Sequence, residues 1–81
     1  MKVVCKINSG YYNLRVGREY EVKEFIPRLI TPNFTFPRYV TVIDDNGKES
    51  TGHAYRFETL EGQSCEEYMK ENLKDIEDRN Y

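Results

Sequence analysis

The sequence predicts a mainly β, α+β fold: a small five-stranded antiparallel barrel over residues 1–62, then an acidic, amphipathic C-terminal α-helix within residues 63–81, packed on the barrel. Three observations carry that expectation. Two early runs alternate apolar and polar residues, turn-forming residues divide the chain at short intervals, and beyond Gly62 the apolar period lengthens from two residues to nearly four. With 81 residues, 38% hydrophobic and 32% charged, the chain falls among ordinary globular domains and has room for one. A domain this small buries only roughly 60% of the surface its unfolded chain exposes, so its stability margin is narrow.

Residues 2–8 set Val3, Cys5 and Ile7 on one face and Lys2, Lys6 and Asn8 on the other, as a half-buried first strand requires. After Ser9-Gly10 and Val16-Gly17, a second alternating run places Tyr20, Val22 and Ile26 on one side and Glu21 and Lys23 on the other. Three prolines between residues 27 and 37 withhold backbone donors, which predicts a long loop or an irregular edge strand. Tyr39, Val40, Thr41, Val42 and Ile43 are β-branched or aromatic, and Asp45-Asn46-Gly47 supplies positive-φ residues for a hairpin into a fourth strand at about 48–52. A short fifth strand is expected within residues 55–60.

Ser64 with Glu67 forms a capping-box pattern, which starts a helix expected over residues 65–78. Cys65, Met69, Leu73 and Ile76 make its apolar stripe. Two placements are open to that stripe: its own barrel, over Tyr39 and Ile43, or another chain. Neighbouring elements usually pack together, which favours the first.

The run Leu14-Arg15-Val16-Gly17-Arg18-Glu19-Tyr20-Glu21-Val22, the segment Val42-Ile43-Asp44-Asp45-Asn46-Gly47 and the pair Arg56-Phe57 resemble small SH3-like barrel proteins. Such proteins are common in bacteriophages and bacteria and mostly of unassigned function; some bind and redirect host factors. The resemblance covers about residues 2–60. It implies that the Leu-x-x-Gly-x-x-Tyr-x-Val segment leads from a loop into the second strand, that the Asp-Gly hairpin joins the middle strands, and that Arg-Phe closes the barrel. The 27–37 loop and the acidic helix depart from the family's compact pattern.

The chemistry of catalysis is thinly represented. His53 is the single histidine and Cys5 and Cys65 the two cysteines, too few for a Cys–His metal cage or a four-cysteine ribbon. The cysteines read as small buried hydrophobes and Asp44-Asp45 as turn chemistry. No cofactor is called for, and the expectation is a non-enzymatic protein. Its apolar stretches are only a few residues long, which predicts no membrane span and a cytoplasmic location, the host's cytoplasm for a phage protein.

Two surfaces stand out for binding. Phe25, Leu29, Ile30, Phe34 and Phe36, with Arg28 and Arg38, place more apolar and arginine side chains around the loop than solvent exposure favours, and such residues anchor protein interfaces. The same residues could instead fold back as a satellite core. The alternative is a basic face of Lys6, Arg15, Arg18 and Lys23 with Tyr11 and Tyr12, suited to phosphates and stacked bases. Against it stands the net charge of −2, although residues 1–40 carry seven Lys/Arg against three Glu. The expected function is an interaction module that binds and modulates a host or self protein, as monomer or homodimer, with nucleic-acid binding second.

Overall fold

The computed structural model describes residues 1–10 and 13–78. Five strands form one antiparallel sheet: β1 (Lys2–Cys5), β2 (Glu19–Ile26), β5 (Tyr39–Ile43), β6 (Glu49–His53) and β7 (Phe57–Thr59). Their spatial order is β6-β5-β2-β1-β7. A 3₁₀ turn at Ala54–Arg56 joins the two edge strands β6 and β7, and the sheet is not closed into a barrel. The chain is thus mainly β, as expected, with an open five-stranded sheet.

The core forms where the inward faces of that sheet meet the helix α1 (Cys65–Asn72). Val3, Cys5, Val40, Val42, Ala54, Cys65 and Met69 are fully buried, with Leu14, Tyr20 and Phe57 nearly so. Val40 and Val42 point inward as their alternation predicts. Ile7 is exposed, because β1 ends at Cys5 and the alternation has nothing left to pack against.

In β2 the register slips: Val22 opposes Val42, but Glu24 opposes Thr41. This bulge inserts one residue and reverses which side chains face inward beyond it. Phe25 consequently sits opposite Val40 on the core side, and the expected common face of Tyr20, Val22 and Ile26 breaks at Ile26.

The β5–β6 hairpin turns through Asp44–Gly47, where the Gly47 amide donates to the Asp44 carbonyl (3.0 Å) and the Asp44 amide to the Lys48 carbonyl (2.8 Å). Among Asp45, Asn46 and Gly47 only Gly47 adopts a positive φ, +75°, so the connection is a type I turn followed by a glycine bulge. The Asp44 carboxylate holds it together, accepting from the amides of Asn46 (2.9 Å) and Lys48 (3.0 Å) and from the Ser50 hydroxyl (2.9 Å).

The proline-containing segment is more regular than a loop. β3 (Leu29–Ile30) and β4 (Thr35–Phe36) form a short antiparallel pair, and β8 (Ile76–Glu77) joins β3 in parallel to give a second sheet of order β4-β3-β8. The helix expected over 65–78 therefore stops at Asn72; residues 79–81 lie outside the described residues. Leu73 turns extended (φ −129°, ψ 131°) and the Asn72 side chain donates to the Tyr68 carbonyl (2.8 Å), satisfying a helix end. Beyond it, the amides of Ile76 and Asp78 donate to the carbonyls of Arg28 (2.8 Å) and Ile30 (2.9 Å). A strand edge thus wins residues whose spacing alone reads as helix.

Ser64 caps α1, although it accepts from the Glu66 amide (3.2 Å), while Glu67 pairs with Lys70 (3.3 Å) and does not complete the box. The helix docks on its own chain against β7 and the 3₁₀ turn, not over Tyr39 and Ile43. Tyr39 packs instead against His53, directly across in β6, the rings tilted by 30° (5.0 Å between centroids).

The Lys48 amide chiefly holds the Asp44 carboxyl below its ordinary range; burial opposes this, and Ser50, Asn46 and Asn13 reinforce it. A carboxyl lowered on folding adds stability above its unfolded pKa of about 4, and that stability is lost as pH falls through the folded value. Asp44→Asn is expected to flatten the decline in stability below about pH 4, read by urea unfolding across pH 2–6.

Candidate functional site

The registers of the small sheet decide which side chains share a face. Leu29 lies directly between Phe36 on β4 and Ile76 on β8, and residues opposite one another project to the same side. Phe34, two residues before Phe36, joins them, its ring 6.0 Å from that of Phe36. This row is largely uncovered: Phe34 is 69% exposed, Ile76 51% and Phe36 47%, with Leu29 half-buried. Ile30, with Thr31, Pro32, Glu77 and Asp78, lines a cleft of about 260 Å³. Thr31 braces the β3–β4 turn, its amide donating to the Phe34 carbonyl (2.7 Å) and its hydroxyl accepting from the Phe34 amide (2.9 Å).

The structure separates the other residues expected at this surface. Phe25 is directed to the core, where its ring meets Tyr68 of α1 (5.4 Å). Arg28 is half-buried and contributes its carbonyl to β8. Arg38 is 5% exposed and turned inward, Nη1 donating to Glu66 Oε2 (2.7 Å) and Nη2 to Asp75 Oδ1 (2.7 Å). Burial works against the guanidinium's charge, but the bond to Glu66 and the charges of Asp75 and Glu66 outweigh it and raise its pKa. Arg38 thus borders a cleft of about 410 Å³, with Lys70, Leu73 and Lys74, while its charge is met by its own chain. Ile76 escapes sequence reasoning because its i,i+3 spacing from Leu73 reads as helix, and only the strand edge of β3 reveals its place.

The basic residues lie beside carboxylates. Lys6 is 3.9 Å from Glu58, Lys23 is 3.4 Å from Glu49, and Arg15 (3.8 Å) and Arg18 (3.5 Å) share Asp45. The Tyr20 hydroxyl donates to that aspartate (3.1 Å) and accepts the Arg15 amide (2.7 Å), which fixes the 14–18 turn against the hairpin. These exposed pairs contribute little stability. Tyr11 and Tyr12 lie outside the described residues.

His53 meets two tyrosine rings, tilted against Tyr39 and stacked on Tyr55 at 5.2 Å. Cys5 and Cys65 are buried free thiols; burial pushes the Cys65 thiol up to about 11 and raises that of Cys5. Among the described residues no three His, Cys, Asp or Glu side chains gather as metal ligands, and no helix is long and apolar enough to cross a membrane. No protein-family model matches the chain, and neither a curated protein nor a solved structure is significantly similar to it.

Two outcomes follow from the buried groups. Arg38→Met leaves Glu66 and Asp75 converging without a cation and is expected to cost about 2–3 kcal/mol, a fall of roughly 10–20 °C in Tm for a domain this size. Arg38→Lys, which cannot reproduce the two-pronged contact, should lose about half of that; chemical denaturation of both variants checks the order. Because only the thiolate reacts, both cysteines should resist a disulfide reagent at pH 8 in the folded protein and react within seconds in 6 M guanidinium.

Proposed function

We propose that this chain is a non-enzymatic protein-interaction module on an SH3-like β scaffold, docking a partner protein on the outer face of the β4-β3-β8 sheet. One observation carries the reading: Phe34, Phe36 and Ile76 stand about half exposed or more, beside Leu29 in one apolar row. Val16, Tyr55 and Leu60 are as exposed, but single exposed apolar side chains are ordinary, whereas Phe34, Phe36 and Ile76 lie in register around Leu29. The largest contiguous apolar patch on a monomer, about 300–600 Å², is often a functional site.

The scaffold assignment is supported by connectivity. Gly17 and Tyr20 lead from a loop into β2, the Asp45–Gly47 turn joins β5 to β6, and Phe57 opens a β7 that pairs back with β1. The resemblance to phage and bacterial SH3-like proteins supports a host protein as partner and the cytoplasm as the setting. The pairing of Lys6, Arg15, Arg18 and Lys23 with carboxylates disfavours a nucleic-acid ligand, since a phosphate must compete with each of them.

The test is affinity capture from a bacterial lysate with and without nuclease, followed by titration of the purified captured protein. Phe34→Asp and Phe36→Ala should each weaken binding at least tenfold, and nuclease should change nothing. Nuclease-sensitive capture that survives Phe34→Asp but falls with Arg15→Ala or Arg18→Ala, and steeply with salt, would overturn the reading in favour of nucleic acid.

A further inference from the structure

We infer that the partner is bound as an extended segment that adds itself as a strand to the free edge of β4, laying alternate apolar side chains beside Phe34 and Phe36; this inference rests on the docking face proposed above. The first ground is main-chain geometry. β4 is an edge strand, and in an antiparallel pair successive residues direct their amide and carbonyl alternately toward the neighbour and away. The Phe34 carbonyl accepts from Thr31 on the β3 side, and Phe36 lies two residues on, so the amide and carbonyl of Thr35 point outward.

The second ground is composition. Edge strands are ordinarily blunted by lysine, by inward-pointing charge, by proline, by short length or by a covering element; β4 is short and flanked by proline but lacks the charge. From Leu29 to Pro37 the chain has no charged residue at all, although 32% of its residues are charged. Pro32 and Pro37 bracket the edge and confine pairing to about four residues, roughly 13 Å of strand.

The third ground is area. The exposed parts of Phe34, Phe36 and Ile76 amount to on the order of 400 Å². A stable interface between two globular surfaces buries about 800 Å² on each partner, so this face is too small for a second folded copy. It matches a short segment whose backbone bonds supply affinity and whose alternate side chains supply selectivity.

The experiment selects linear peptides from a displayed random library on the intact chain, with counter-selection on Phe34→Asp. The enriched peptides should carry apolar residues at i and i+2. Their binding should slow exchange of the Thr35 amide at least tenfold, and one N-methyl group on the peptide residue facing Thr35 should weaken binding at least tenfold while its neighbours tolerate methylation. Thr35→Pro, which removes only an outward amide, should abolish binding with Tm within a few degrees of the intact chain.

Peptides anchored at i, i+3 and i+4, or binding that leaves Thr35 exchange and Thr35→Pro unaffected, would overturn strand addition while the docking face stands. Failure to enrich any peptide over Phe34→Asp also overturns it. So does a concentration-dependent dimer in sedimentation that Phe34→Asp abolishes, which would put a second copy on the face.

Discussion

The arrangement of everything outside the five-stranded sheet depends on where Arg38 points. Its carbonyl receives the Ala54 amide (3.0 Å), and its guanidinium binds Glu66 in the first turn of α1 and Asp75 just ahead of β8. One planar group therefore closes two contacts 28 and 37 residues distant in sequence. A lysine, with a single point of charge, has no such fork. The cost of desolvating the cation is offset because both carboxylates retain some exposure, 27% and 29%, and need not be wholly stripped of water. A residue whose type suggests an interface anchor thus serves as an internal clasp.

The bulge in β2 is the second constraint. By inserting one residue it swings Phe25 into the core against Tyr68, which gives α1 an aromatic contact beyond its own Cys65 and Met69. It also reverses the side-chain alternation just before the segment that leaves the main sheet. Without it, Phe25 would join the outer surface and Ile26 the inner.

These two devices explain what the sequence discloses and what it withholds. Alternation located β1 and β2, β-branched and aromatic composition β5, Gly47 the hairpin into β6 and Ser64 the start of the helix, because each signal is local: a period, a composition, a positive φ, a cap. Phe34 and Phe36 were legible as a candidate surface for the same reason, as aromatics in an uncharged stretch beside prolines. The helix end, the bulge, the inward turn of Arg38 and the place of Ile76 are products of distant partners. Residues 73–78 retain a helical spacing of apolar side chains, yet the free edge of β3 and the pull of Arg38 on Asp75 outweigh that preference. No window of sequence contains both sides of that competition.

The exposed row sits on the part of the molecule with the least stability of its own. Strands of two residues each cannot hold a sheet independently, so the β4-β3-β8 unit persists because Arg38 secures Asp75 and the Thr31 brace secures the β3–β4 turn. Under the proposed strand addition, a partner would supply this sheet with a fourth strand and so bind its ordered form better than its frayed one. Linkage then couples two places that do not touch: whatever loosens the Arg38 clasp lowers the population able to bind, and a bound strand returns stability to the clasp. The polar interaction that organises the fold is, on this reading, also the one that presets the docking edge.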